Sequence, residues 1–286
     1  MKLVGTVILY NPELDVSKNI YTYLDQIEKL YVIDNSSTES VFIKEEFSNN
    51  KKVVYIPNLQ NVGIATALNK ALELAEIDGY DFLLTMDQDS YFESGSETLE
   101  QMLFRINQNE NLAIISPIHH YPIGKNQQSK CLIPIDKIVV MTSGNIVRVN
   151  LIKSVGGYKD ELFIDYVDHE ICLRLNKLGF NVELYDHYKV VHSLGNVNEK
   201  KFLWKKVYPT NYSYIRHYYR TRNRLYVYKT YGKNFPKYIR TEKMNFIKDV
   251  LKVILFENNK LKKIKYFILG YIDYKKNKLG KYNHLD

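Results

Sequence analysis

The chain has 286 residues, 45% of them hydrophobic, with only 13 Gly and 7 Pro, which excludes disordered, fibrous and low-complexity classes. No run approaches the roughly 18 apolar residues that span a bilayer. Two cysteines, Cys131 and Cys172, without a signal-like N-terminus or a ladder of spacings, point to buried thiols in a reducing, cytosolic setting. The net charge of +8 is unevenly placed: residues 1–198 carry 17 Lys and Arg against 26 Asp and Glu, whereas residues 199–286 carry 23 against 6. A tail of net +17 implies an anionic partner such as nucleic acid, an acidic membrane surface or substrate phosphates.

In chain order, KLVGTVIL at 2–9 is a short β-branched apolar run halted by Tyr10-Asn11-Pro12, which predicts a strand and a turn. LYVIDNS at 30–36 and KVVYIPN at 52–58 repeat the unit, with helix-like stretches at 14–28 and 38–48 between them. GIATALNKALELAE at 63–76 predicts a helix lying close against a sheet, and YDFLLTM at 80–86 a further strand. This alternation predicts a doubly wound, mostly parallel α/β sheet. Ligands in such sheets sit beyond the carboxyl ends of the strands, which places Tyr10-Asn11, Asp34-Asn35, Asn58 to Gly63 and Asp87 to Ser90 on one rim.

The middle section offers strand candidates at LAIISP (112–117), KIVVMTS (137–143) and NIVRV (145–149), and a strong helix at 166–179. From about residue 199 the pattern is helical, basic and Tyr-rich, over 211–233, 244–256 and 261–274. The expected division is a domain at 1–210, with halves at 1–110 and 111–210, followed by a basic helical extension at 211–286.

The rim has no Gly-x-Gly-x-x-Gly, no P-loop and no Gly-x-Ser-x-Gly elbow. What it has is Asp87-Gln88-Asp89. Two carboxylates at i and i+2 past a strand end can project to one side, where a divalent cation relieves their repulsion and bridges them to a diphosphate. An acidic, solvated turn accounts for the same residues.

TVILYNP (6–12), VIDNSS (32–37), NLQNVGIATALNKAL (58–72), LLTMDQDS (83–90) and FIDYVDHEICLRLNKLGF (163–180) stand in an order and spacing that resembles the inverting family 2 glycosyltransferases of GT-A fold, most closely those that transfer rhamnose in bacterial surface polysaccharide synthesis. The likeness runs over about residues 3–230. It implies that Asp34 accepts a hydrogen bond from the N3–H of uracil or thymine, with a turn shared with Asn35 and Ser36 as the plainer role. Tyr10 and Asn11 would line base and ribose. Asn61 and Gly63 would bring a helix N-terminus to phosphate, or simply cap that helix. Asp87 would meet the nucleotide, and Asp87, Asp89 and His192 would hold Mg²⁺ or Mn²⁺.

The same resemblance makes Asp168 the general base, with Val167 in place of the usual first acidic residue and Asp165 as rival; either aspartate would also favour a helix start. Ser143 and Gly144 fall in a loop beneath the donor sugar, and Gly156-Gly157 in a turn toward the acceptor. Arg220, Arg222 and Asn223 fall in a helix that follows the catalytic region, where the guanidinium groups of Arg220 and Arg222 would clamp diphosphate or an acidic acceptor, unless each belongs to a solvated basic face. The implied partners are a dTDP- or UDP-sugar donor and an oligosaccharide or lipid-linked acceptor. The tail, alternating apolar and Lys positions, suits either a helix lying on the anionic inner face of the cytoplasmic membrane or packing against the catalytic domain or a second subunit. A UDP-hexose transferase is the nearest alternative. A nucleic-acid-binding protein is the non-enzymatic one; it leaves the acidic first two-thirds unexplained, so no nucleic acid is expected.

Overall fold

The first strand, β1 (Leu3–Leu9), is buried along its whole length, and its side chains divide by parity. Val4 and Ile8 enter one apolar cluster, and Leu3, Val7 and Leu9 another. A period of two does this when both faces of a sheet are covered. β1 pairs in parallel with β2 (Lys29–Asp34) and β4 (Phe82–Asp87), and β2 in parallel with β3 (Val53–Pro57). The crossovers carry α1 (Val16–Leu24), α2 (Val41–Glu46) and α3 (Ile64–Ile77). In α3, Ala65, Ala67, Leu68, Ala71, Leu72 and Ala75 are buried, small residues letting the helix axis approach the sheet. The computed structural model describes residues 1–93, 98–123, 128–132, 138–192, 200–202 and 205–283.

Beyond β4 the pairing is mixed. Two residues, Gln88 and Asp89, separate β4 from β5 (Ser90–Phe92), too few for a crossover helix. β5 instead pairs antiparallel with β9 (Asn181–His192). The full order is β3-β2-β1-β4-β8-β6-β9-β5, where β6 is Leu112–Ile123 and β8 is Asn145–Arg148, and β7 (Gln128–Leu132) adds to β6. A two-residue link between strands so far apart in that order requires the sheet to curl back. The curl brings the end of β9 against the end of β4.

The stretch at 137–143, expected as a strand, is turn and coil in its described part. Its Val139 and Val140 are buried in the core, while Thr142 and Gly144 bond to Thr85 rather than forming a ladder. An apolar run reports burial, and a strand also needs partners. Cys172, in α6 (Val167–Lys177), is a buried free thiol pushed up to about 12 by burial. The side chain of Cys131 and the residues after His192 in VVHSLG lie outside the described residues.

Between these strands lie α4 (Thr98–Asn107) and α5 (Val149–Ser154), and β10 (Lys200–Phe202) and β11 (Lys205–Val207) form a small hairpin. Three helices follow: α7 (Tyr214–Tyr231), α8 (Pro236–Phe256) and α9 (Lys260–Lys275). α7 begins at Ser213, whose hydroxyl accepts the Arg216 N–H, and α8 has Pro at its first position. α7 and α9 cross closely at Gly270, where a Cβ would lie 2.5 Å from the Tyr218 carbonyl oxygen. Two arginines of α7, Arg222 and Arg224, turn inward and are buried.

Candidate active site

The strand ends form one connected rim. The Tyr10 N–H donates to Gln88 Oε1 at 2.8 Å, and Gln88 Nε2 donates back to the Tyr10 carbonyl at 3.3 Å, so the amide between the two aspartates hooks β4 to β1. The Asn11 N–H, at φ +44°, donates to the Ser36 hydroxyl at 2.7 Å, tying β1 to β2. Tyr10 is half-exposed.

At the curl, one ligand atom each of Asp87, Asp89 and His192 lie within 4.8 Å of one another. His192 Nδ1 is 3.3 Å from Asp89 Oδ1 and 2.7 Å from the Ser90 hydroxyl, its register partner across the β5–β9 pair. Behind them Ser143, fully buried, accepts the Asp87 N–H at 3.0 Å. The Ser143 carbonyl in turn accepts Nε2–H of His119 at 2.7 Å, which fixes that tautomer. Burial lowers the His119 pKa to about 4, so its ring is neutral.

Burial raises the Asp87 carboxyl to about 6, with repulsion from Asp89 and Asp168 adding and attraction to His192 and Arg216 opposing. Two carboxylates and an imidazole are hard and borderline donors that suit Mg²⁺ or Mn²⁺, and a cation there would offset the burial and repulsion that lift Asp87. The residues present therefore fit such an ion.

Opposite stands the loop that enters α6. Phe163 has φ +65° and ψ −64°, with the Ile164 N–H donating to the Leu162 carbonyl: a γ-turn, an uncommon and strained conformation. Asp165 and Tyr166 are also left-handed, at φ +61° and +66°. Such strain persists only where neighbours over-determine it. Asn223 Nδ2 donates to the carbonyls of Leu162, Ile164 and Asp165 at 2.8–2.9 Å, Arg222 to those of Glu161, Leu162 and Gly280, and the Ile64 N–H to that of Phe163. The loop presents Asp168 in the first turn of α6, where Oδ1 accepts the His169 N–H. His169 is bonded to the Tyr238 hydroxyl of α8, and Tyr166 donates to Glu242 of α8 at 2.5 Å. Asp165 pairs with Arg216 at 3.2 Å and with Arg220 at 3.7 Å.

Several of the expected residues also make defined contacts within the protein. Asp34 is buried, and its oxygens accept the N–H groups of Ser36 and Ser40 and the Tyr55 hydroxyl at 2.7 Å, so it organises the turn after β2. Burial alone would raise its pKa, but these bonds together lower it. Asn61 Oδ1 accepts the Gly63 N–H at 2.9 Å. Gly63, at φ +88°, makes its close approach to Phe163: a Cβ would meet that residue's carbonyl oxygen at 2.7 Å. Gly144, at φ +79°, fits against Val190 and Pro117, so Ser143 and Gly144 buttress the carboxylates. The Arg222 guanidinium is engaged by backbone carbonyls, and Arg220 pairs with Asp165 and Asp249. The residues to which sequence reasoning gives no role of their own are Gln88, Ser90 and above all Arg216. Arg216 lies on the Tyr212 ring at 4.3 Å, is held by Asp165, and is near enough to Asp87 to draw its pKa down. The only signal for it was its place one turn before Arg220 on a helix.

The parallel half-sheet and the mixed, curled half beside it make a fold of the GT-A type. The chain belongs to glycosyl transferase family 2, whose family model matches residues 6–165. It is 28% identical over 290 residues to the dTDP-rhamnosyl transferase RfbF of Shigella flexneri, covering 95% of this chain and 94% of that one. In fold it is similar to TarS of S. aureus, with a TM-score of 0.57 at 16% identity over 96% of this chain; this chain spans 49% of that one. TarS 1-349 in complex with UDP matches with a TM-score of 0.50 at 15% identity, over 100% of this chain and 95% of that one.

Proposed function

We propose that this glycosyltransferase moves L-rhamnose from dTDP-β-L-rhamnose, with inversion, onto a saccharide acceptor, lipid-linked, in the assembly of a bacterial surface polysaccharide at the cytoplasmic face of the membrane. The observation that carries the reading is the convergence of Asp87, Asp89 and His192 at the curl, with Asp168 near enough to Asp87 to raise its pKa. The choice of donor is supported by the likeness to RfbF along nearly the whole of both chains.

Asp87, Asp89 and His192 would hold a divalent cation, which supplies Lewis-acid neutralisation of the charge that grows on the leaving diphosphate. Ser143 keeps the Asp87 backbone in place, and Gln88 ties it to Tyr10, so the carboxylates meet the donor without reorganising. Arg216, oriented by Asp165 and by the Tyr212 ring, adds fixed positive charge beside them. Asp168 takes the proton of the acceptor hydroxyl as its oxygen attacks the anomeric carbon and the carbon–oxygen bond to the diphosphate breaks. General-base catalysis of this kind is typically worth about 10²–10⁴-fold. A direct displacement needs no covalent intermediate and yields an α-L-rhamnoside.

A thermal-shift panel of dTDP-, UDP-, GDP- and CDP-sugars with Mn²⁺ or Mg²⁺ tests the donor. dTDP-L-rhamnose should give the largest cation-dependent shift. A larger shift with a UDP-hexose would move the enzyme to that donor, and no shift with any nucleotide sugar would remove the reading.

A further inference from the structure

Helix α8 has two faces of opposite character. Tyr238, Ile239, Glu242 and Val253 are buried against the rest of the protein. On the other side Met244, Ile247, Leu251, Ile254 and Leu255 are each 41–52% exposed, at spacings of three and four that form one continuous stripe. α9 continues the pattern after a three-residue turn, with Leu261 85% and Ile268 54% exposed.

The charges are sorted in the same way. Every acidic residue between 236 and 275 points inward: Glu242 bonds Tyr166, Asp249 pairs with Arg220 and Arg224, Glu257 with Lys263, and Asp273 accepts from Tyr218. The exposed positions of α8 and α9 carry eight Lys and Arg, among them Arg240, Lys243, Lys248, Lys260, Lys265 and Lys275, and no acidic residue. We propose that the outer face of α8 and α9 docks on an anionic lipid bilayer, the aliphatic stripe entering the acyl boundary and the basic residues meeting the headgroups.

The alternatives fit this surface less well. A second copy meeting face to face would bring two unneutralised basic surfaces together. Nucleic acid would match the charge but offers nothing to an aliphatic stripe, since it is held through phosphates and stacked aromatic rings. A bilayer supplies both halves. No helix among the described residues is long and apolar enough to cross a membrane, so the contact is parallel to the surface. α8 also bonds His169 and Tyr166 beside Asp168, which sets the docked face directly behind the proposed acceptor side.

The inference stands independently of the sugar donor, and its test uses none. The full chain is floated with vesicles of equal parts phosphatidylglycerol and phosphatidylcholine, and with phosphatidylcholine alone, beside Ile247→Glu/Leu251→Glu. The wild type should float with the anionic vesicles and be released by salt, and the double variant should partition at least tenfold less with an unchanged Tm. A wild type that stays unbound, equal flotation of the variant, or an oligomer in sedimentation that the variant dissolves without any vesicle binding would each overturn the proposal, the last assigning the stripe to a second copy.

Discussion

Ser143 Oγ accepts the backbone N–H of Asp87 at 3.0 Å across the seam between the 142–144 loop and the end of β4. The carboxylate's position is thus set by a hydroxyl fifty-six residues away in sequence. Ser143→Ala leaves a buried N–H without a partner, which costs about 1–3 kcal/mol. Calorimetry should show a lower Tm, and titration with Mn²⁺ a weaker affinity; full Mn²⁺ affinity in the variant would mean that the loop does not place Asp87.

Asp87 makes a pH prediction. Burial, then repulsion from neighbouring carboxylates, raises its pKa from 3.8 to about 6. A carboxyl whose folded pKa is raised costs no stability below its unfolded pKa, and the cost grows as pH rises to the folded value and stays above it. Cation-free wild type should therefore lose stability between about pH 4 and pH 6, on the order of 3 kcal/mol. Asp87→Asn should flatten that slope, and should also abolish the rise in Tm that Mn²⁺ produces in the wild type. A parallel pH slope in the variant would show that other groups cause it.

Asp168→Asn should bind nucleotide sugar normally and lose transfer; retention of more than a tenth of the rate would disqualify it as base. Asp165→Asn should behave differently, because Asp165 orients Arg216. Its expected signature is weaker donor binding, read as a higher KM for the nucleotide sugar, with part of kcat kept.

Arg222→Lys separates a structural arginine from a diphosphate clamp. Lysine cannot reach the carbonyls of Glu161, Leu162 and Gly280 together, so the change should cost about 2–4 kcal/mol in denaturant unfolding. The KM for the donor should be unchanged below the new Tm; a raised KM with unchanged stability would restore the clamp.

Tyr55→Phe removes one of the hydrogen bonds that hold the Asp34 pKa down. A depressed carboxyl stabilises above its unfolded pKa of about 4, and that contribution fades as pH falls through the lower folded value. The wild type should exceed the variant in Tm at neutral pH, with the gap closing in strong acid. A constant gap from neutral pH to strong acid would locate the effect in packing instead.

Much of the parallel half of the fold was legible. β1, β2, β3 and β4 are apolar runs cut by Asp, Asn or Pro, and Asp87 and Asp89 advertise themselves by ending one of them. α3 was legible through its alanines and leucines. The stretch at 137–143 was not, because apolar residues are needed equally by a buried strand and by a buried coil. Arg222 and Asn223 were not, because their partners are backbone carbonyls, which every residue type possesses. Arg216 was one basic residue among many on α7, and its pairing with Asp165 depends on the left-handed turn at 163–166.

The sequence by itself determined the α/β class, the acidic rim at the ends of the strands and the basic sorting of the tail, since these rest on periodicity, strand endings and charge, all local properties. The tertiary structure decided the rest. Bringing His192 to Asp89 requires the sheet to curl between β4 and β9. Turning the acidic residues of α8 and α9 inward, and so leaving an outer face of lysines and aliphatic side chains, requires α7 and the Asp168 loop as their partners. A side chain's type is written in the chain, but whether it meets a ligand, a lipid or a carbonyl is set by what folding places in front of it.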